Sequence, residues 1–451
     1  MRKSQFSDGG IKHATINGHR FHLRLNDPTE DNFLWIDGQQ PPLVLDETAA
    51  NFMSTIIEAM WQFQQGEGNE SNQVISYVTN KMYEKYGKPL AFNSNRVTKG
   101  RIKADLHRLF GTIFEIAEGN CPVIMGLESK GINYGQWLSP ARMDLAVTYR
   151  CNLNCGKCYL GSSKIPELSL NQWKKVYTTL WNIGIPQVVF TGGEPTLRDD
   201  IVDLVYEADE FVTGMVTNGT KLVCLAQRLK DASLDYVQIT IESHDAAIHD
   251  QMTRYPGSHG STTDGIRAAL KAGLQVVTNT TLTKENAATF TETIKWLKNL
   301  GVSNIACNTL ICSGRGTSCK AENGLSDYEL AEILDSACDI AETNEINLQW
   351  YSPSCYNKGL DPVKFGFGVK SCSAAAHNMT IQPDGSILPC QSWPKDVGNI
   401  LKDDWEKIWN HPTCLDLRSH RLADLECKTC TLFNECGGGC PLDKSERRKE
   451  N

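Results

Sequence analysis

Apolar and polar positions change rhythm three times along the chain. Near the start they alternate, through Arg20-Phe-His-Leu-Arg-Leu and Phe33-Leu-Trp-Ile, with Asn26-Asp-Pro between them. Alternation broken by a turn signal predicts two short strands. Asp46-Glu-Thr-Ala then opens a helix whose apolar residues Ala49, Phe52, Met53, Ile56, Ile57, Met60 and Trp61 follow three/four spacing. Two further helices are predicted, one on Val74, Tyr77, Val78 and Met82, the other after Gly87-Lys-Pro on Ile102, Leu106, Leu109, Phe110 and Ile113. Strands and then three short helices describe a small winged-helix-like domain over residues 1–125.

The second region, 140–350, repeats short runs apolar on both faces: Met143–Thr148, Gln187–Thr191, Phe211–Thr217, Tyr236–Ile241, Leu274–Thr281 and Asn304–Ile311. Helical patterns fill the gaps; the clearest starts after Ser169 and buries Leu170, Trp173, Val176, Tyr177, Leu180 and Trp181. Doubly apolar strands alternating with helices imply an α/β fold with a covered parallel sheet. Six units fall short of the eight of a full barrel, so a partial (βα)6 TIM barrel is expected. From 351 to 451 the pattern is irregular, with a hairpin signal at Pro383-Asp-Gly and one short helix at Asp403–Trp409. A segment so poor in apolar periodicity is expected to depend on metal sites for its order.

Composition narrows the class. The chain has 451 residues, enough for several domains with real cores. Mean hydropathy is −0.35 and no long uncharged apolar run occurs, so no membrane span is expected. The first residues lack the apolar stretch of a secretory signal, which points to the cytoplasm. Formal net charge is −8, against a surface that binds nucleic acid throughout. The 17 cysteines are an odd number in a chain with no export signal, so a disulfide framework is not expected. They cluster as Cys151, Cys155, Cys158 and as Cys427, Cys430, Cys436, Cys440.

Three thiolates on the loop after the first parallel strand can hold three corners of a four-iron–four-sulfur cluster and leave one iron open. The plainer alternative is a zinc loop, but structural zinc sites close with four ligands and no fourth is local. The second strand ends Gly192-Gly193-Glu194-Pro195, where two glycines admit a ligand close to the backbone and a carboxylate can accept from an ammonium. Such a turn is ordinary when alone; beside the cysteine triplet it gains weight.

On these motifs the chain, over about residues 140–320, resembles the radical S-adenosylmethionine (SAM) superfamily. The resemblance implies that Cys151, Cys155 and Cys158 bind a [4Fe-4S] cluster whose open iron takes the SAM amino and carboxylate groups. Gly192, Gly193, Glu194 and Pro195 would hold the amino end. Thr217, Asn218, Thr240, Glu242, Asn279 and Arg315 stand where later strands give way to loops, with Thr240 and Glu242 preferred because Thr240-Ile-Glu242-Ser falls where the family often has Ser-Leu-Asp-Gly. Lys157 stands where an aromatic is common. The implied chemistry is one-electron cleavage of SAM to a 5′-deoxyadenosyl radical, which abstracts a substrate hydrogen. An electron donor such as ferredoxin or flavodoxin is implied as a partner.

Cys372, Gly385 and Cys390, followed by Cys427-x2-Cys430-x5-Cys436-x3-Cys440, resemble the SPASM domain that carries one or two auxiliary [4Fe-4S] clusters. A zinc ribbon is the competing reading of Cys427 and Cys430 alone. By resemblance Cys372, Cys390 and Cys440, with Cys355 as fourth ligand, bind the first auxiliary cluster, and Cys427, Cys430 and Cys436 the second. The family's further downstream cysteine is missing: Cys414 substitutes, or the second cluster is open, or it is absent. Cys121, Cys224, Cys307, Cys312, Cys319 and Cys338 have no partner spacing and read as core residues.

The first region resembles the PqqD-like peptide-recognition element of ribosomal-peptide maturases, which binds a leader peptide as an added strand. The whole chain thus reads as a maturase that crosslinks, oxidises, epimerises or excises part of a precursor peptide. A radical enzyme acting on a small molecule or folded protein is the nearer alternative. A zinc-stabilised winged-helix DNA regulator is the distant one, resting on the basic run Lys81, Lys85, Lys88, Arg96, Lys99, Arg101, Lys103 and Arg108.

Overall fold

The computed structural model describes residues 11–17, 19–25, 32–36, 43–63, 70–87, 97–117, 138–160, 165–356 and 359–443. The chain divides into two compact units, one made of residues 1–137 with 181–186 and 210–212, the other of the remainder.

In the first unit β1 (Ile11–Ile16), β2 (His19–Arg24), β3 (Asn32–Ile36) and β4 (Leu43–Leu45) form an antiparallel sheet in chain order. Helices Glu47–Phe63, Glu70–Tyr86 and Lys99–Ala117 follow. The first helix begins after Asp46, whose carboxylate accepts from the Ala49 amide at 2.7 Å and satisfies one of the four orphan N–H groups. Phe21, Leu23, Leu34 and Ile36 of the sheet share one core with Met53, Ile56, Ile57, Val78, Met82, Ile102, Leu106 and Ile113. The pattern finds β2, β3 and the helices; β1 and β4 escape it, and the helices run longer than expected. Lys88, Arg96 and Cys121 lie outside the described residues.

The second unit is built on nine strands: β5 (Arg142–Thr148), β6 (Gln187–Gly192), β7 (Val212–Thr217), β8 (Tyr236–Thr240), β9 (Gln275–Leu282), β10 (Asn304–Thr309), β11 (Asn347–Trp350), β12 (Asn378–Ile381) and β13 (Ile387–Leu388). Their order is β11-β10-β9-β8-β7-β6-β5-β12-β13. The six predicted runs are β5 to β10, side by side in chain order as in a partial barrel. Every residue of β6, and all of β5 but its first, is buried, as strands covered on both faces must be.

Two additions are illegible in the sequence pattern. β11 extends one edge in parallel with β10, and β12 of the predicted Pro383-Asp-Gly hairpin pairs in parallel with β5, Asn378 opposite Arg142. The C-terminal segment is therefore hydrogen-bonded to the strand that launches the cysteine triplet. No helix among the described residues is long and apolar enough to cross a membrane.

Candidate active site and cluster-binding residues

β5 ends at Thr148, and the next ten residues carry Cys151, Cys155 and Cys158. Backbone hydrogen bonds shape this loop. Asn154 N donates to Thr253 O at 3.1 Å and Gly156 N to Met252 O at 3.3 Å. Arg315 N donates to Cys158 O and Arg315 Nε to Cys155 O, both at 2.9 Å. Gly314 permits that approach: a Cβ there would lie 2.5 Å from Tyr159 O. Arg315, a candidate SAM contact on the sequence, thus serves, through Nε, to hold the loop that carries the cysteine triplet. Cys151 is exposed, and Cys155 and Cys158 are half-buried. Burial pushes the Cys155 thiol up to about 12, opposed by the Lys157 charge, so ligation by the thiolate would release a proton.

The Gly-Gly-Glu-Pro turn is stitched to the same loop. Gly193 N donates to Thr148 O and Glu194 N to Arg150 O, both at 2.8 Å. Gly192 has φ +134°, and a Cβ on it would lie 2.0 Å from Thr148 O. Glu194 is fully buried, and burial raises its pKa against the hydrogen bonds it receives. One carboxylate oxygen accepts from Thr196 N, Thr196 Oγ1 and, at 2.7 Å, Thr217 Oγ1; the other accepts from Asn218 N at 2.7 Å. The carboxylate therefore caps the turn at Pro195–Leu197 and staples it to the end of β7.

The remaining candidates divide by their partners. Thr217 is committed to Glu194, while Asn218 Nδ2 donates to Asn152 Oδ1 at 2.9 Å and ties the cluster loop to the β7 end. Thr240 is half-buried at the end of β8. Glu242, 0% exposed at its side chain, is ion-paired with Lys157, 11% exposed. Asn279 Nδ2 donates to Asn308 Oδ1 at 2.9 Å, whereas Asn279 Oδ1 is buried without a protein donor. Of the predicted contacts beyond the turn, Asn279 has an acceptor left over for a ligand.

The C-terminal cysteines fall into two groups. Cys355, Cys427, Cys430, Cys436 and Cys440 line one cavity of about 350 Å³. Cys372 and Cys390 lie near Cys440, since both raise its thiol pKa through space. Cys414 is buried on helix Pro412–Arg418 beside Arg418 and does not line the cavity. All cysteines among the described residues are unbridged. Of the cysteines without partner spacing that the structure describes, Cys307 is buried in the core, Cys224 is exposed, and Cys312, Cys319 and Cys338 are half-buried. The core expectation for those four is corrected: Cys224, Cys319 and Cys338 ride on helices and Cys312 on the loop after β10, each with part of its surface open to solvent.

The radical SAM superfamily matches residues 145–297, the stretch that holds the triplet and the turn, and the SPASM iron-sulfur cluster-binding domain matches residues 372–431. The chain carries a radical SAM domain, the domain of an enzyme. It binds SAM with a [4Fe-4S] cluster, and its SPASM domain binds auxiliary iron–sulfur clusters. The enzyme is 27% identical over 343 residues to the AdoMet-dependent heme synthase of Oleidesulfovibrio alaskensis, covering 70% of this chain and 87% of the relative. It is 28% identical over 269 residues to the PqqA peptide cyclase of Rhodopseudomonas palustris, covering 56% and 67%. The crystal structure of Streptococcus suis SuiB bound to precursor peptide SuiA superposes with TM-score 0.60 at 15% identity, over 97% of this chain and 95% of that one.

The donors present fit these groups: thiols flank one end of the sheet and line the C-terminal cavity, and thiolate is the ligand iron–sulfur clusters take. Sequence reasoning missed two features, the Lys157–Glu242 pair and the Asn152–Asn218 tie. A lysine between two cluster cysteines was the available signal for the first. Because Gly192 occupies a conformation that L side chains avoid and has backbone against its absent Cβ, Gly192→Ala is expected to cost about 1–3 kcal/mol. Thermal unfolding checks the loss, and equilibrium dialysis of SAM is expected to show weakened binding in the same variant.

Proposed function

We propose that this enzyme matures a ribosomally made peptide, with residues 1–125 as a PqqD-like recognition domain, 140–350 as the radical core and 351–451 as the SPASM domain. The observation that carries this reading is the fold likeness over nearly the whole chain to an enzyme solved with its precursor peptide. An antiparallel sheet with β1 and β4 at its edges offers the main-chain groups that an extended leader would pair with.

In this reading Cys151, Cys155 and Cys158 hold the SAM cluster, which when reduced supplies the electron that cleaves SAM to a hydrogen-abstracting radical. The chain's own residues position and shield. The backbone of Gly192, Gly193 and Glu194 faces the SAM amino end, since the Glu194 carboxylate is filled by protein donors. Asn279 Oδ1 offers an acceptor, and Thr240 stands beside it at the next strand end. Arg315 and Lys157 orient the cluster loop. An electron donor of the ferredoxin or flavodoxin kind reduces the clusters.

Anaerobic co-expression with a candidate precursor peptide, followed by mass spectrometry, tests the reading. A mass change that requires intact Cys155 is expected. Cys430→Ala should retain some SAM cleavage while peptide modification stops, because that cysteine serves a separate cluster. An unaltered peptide, with SAM cleavage stimulated instead by a tetrapyrrole, would favour the small-molecule reading that the heme synthase relative supports.

A further inference from the structure

The segment that follows β13 touches the loops at the SAM end of the sheet. Cys390 opens a tight turn there, closed by Trp393 N, which donates to Cys390 O at 3.0 Å. The two residues at its tip, Gln391 and Ser392, each make a bond outward. Gln391 Nε2 donates to Thr191 Oγ1 at 2.9 Å. Thr191 is buried and immediately precedes Gly192, whose φ of +134° and close approach to Thr148 O fix the Gly-Gly-Glu-Pro turn. Ser392 O accepts from Ser313 Oγ at 2.9 Å, and the same hydroxyl lies 3.3 Å from Tyr159 O. A serine hydroxyl has one proton, so the nearer carbonyl, that of Ser392, is the better acceptor. The loop of Ser313 continues to Arg315 and Gly316, whose N–H groups both donate to Cys158 O.

The hairpin does not need these tip contacts to stay in place. β12 pairs with β5 along Asn378–Ile381, and Pro389 O accepts from Ala375 N at 2.8 Å. The Gln391 amide therefore adds alignment to a segment secured elsewhere, and it does so one peptide bond from a cysteine read as a cluster ligand. We propose that Gln391 is a positioning residue that couples the auxiliary cluster held by Cys390 to the SAM site. Ligation fixes the turn at Cys390, the turn sets the Gln391 amide on Thr191, and Thr191 sets the Gly192-Gly193 backbone that faces the SAM amino end. The proposal rests on the reading that Cys390 is a cluster ligand and that this glycine turn takes SAM.

The test uses the anaerobically reconstituted, full-length protein with its clusters oxidised, so that SAM binds without being cleaved, and equilibrium dialysis of SAM. The parent, Gln391→Met, Cys390→Ala and the double variant form one cycle. Gln391→Met keeps the length of the side chain and drops the amide. It is expected to weaken SAM binding about two- to tenfold, the range of one lost hydrogen bond, with a melting temperature close to that of the parent. Thr191→Val is expected to reproduce the loss, and Thr191→Ser, which keeps the hydroxyl, to avoid it. Cys390→Ala is expected to lose iron and to weaken SAM binding to a similar degree, and the double variant to bind no more weakly than Cys390→Ala alone. Losses that multiply in the double variant, or unchanged affinity in Gln391→Met, overturn the proposal. Iron lost from Cys390→Ala with SAM affinity unchanged overturns it and leaves the cluster reading standing; no iron lost removes the cluster reading first and the proposal with it. If Cys390→Ala does not fold, the coupling is read in reverse, as linkage requires. S-adenosylhomocysteine, which lacks the sulfonium, is then expected to shift the electron paramagnetic resonance of the reduced auxiliary clusters, the signals that survive in Cys155→Ala, in the parent and not in Gln391→Met. An equal shift in both, or none in the parent, overturns the proposal.

Discussion

Cys155→Ala is expected to abolish deoxyadenosine formation and to lower iron by about four per chain while leaving the C-terminal clusters in place. The loop survives the change because its shape comes from main-chain bonds: the residue 155 carbonyl still accepts Arg315 Nε, and Asn154 N and Gly156 N still donate to the helix end at Thr253 and Met252. What is lost is one of the three thiolates proposed to hold the SAM cluster. Iron and sulfide determination, with chromatographic detection of deoxyadenosine after reduction, reads both effects. Retention of SAM cleavage in a folded Cys155→Ala protein would sink the assignment of the triplet.

The second large effect concerns Lys157 and Glu242. Both charged ends are buried, and they form an ion pair that joins the cluster loop to the end of β8. Removing one partner strands the other charge away from water, a loss of about 3–5 kcal/mol. Glu242→Gln and Lys157→Met are each expected to destabilise by that order and to lower iron loading at the triplet. Glu242 is also anchored through its main chain, its N donating to His249 Nδ1 at 3.1 Å and its O accepting from Asn286 Nδ2 at 2.8 Å, so the strand end itself stays in place. The double variant Lys157→Met/Glu242→Gln should therefore recover most of the stability, because no unpaired charge remains. Chemical denaturation of the four proteins yields the coupling between the sites. Simple additivity of the two single losses would show that the pair does not act as a unit.

The pair also changes how Glu242 is understood. Its place in Thr240-Ile-Glu242-Ser suggested a contact to SAM, yet its charge is matched internally by a lysine on the cluster loop. The departure at Lys157 and the acidic residue at 242 are two halves of one arrangement. Glu194 follows the same logic. As a free carboxylate in a glycine turn it suggested an ammonium acceptor, but Thr196, Thr217 and Asn218 supply its donors. Arg315, a candidate SAM contact by its place after a strand, is turned toward the Cys155 carbonyl.

What the sequence by itself determined is local or periodic. Cysteine spacing identified the triplet because three ligands to one cluster must sit within a few residues on a single loop. The six core strands were legible because a covered parallel strand needs apolar residues on both faces, and that leaves an unbroken run. The N-terminal helices were legible through their three/four spacing. Tertiary structure alone decided which distant groups meet. A four-residue strand such as β11 or β12 carries too little pattern to announce an edge pairing, and a charge has no sequence signature of its partner. Lys157 with Glu242, Asn152 with Asn218, and Cys355 in one cavity with Cys427, Cys430 and Cys436 all join residues from separate elements. The reason is physical: burial makes an unmatched charge, amide or thiol costly, and it is the folded chain that determines which partner is within reach.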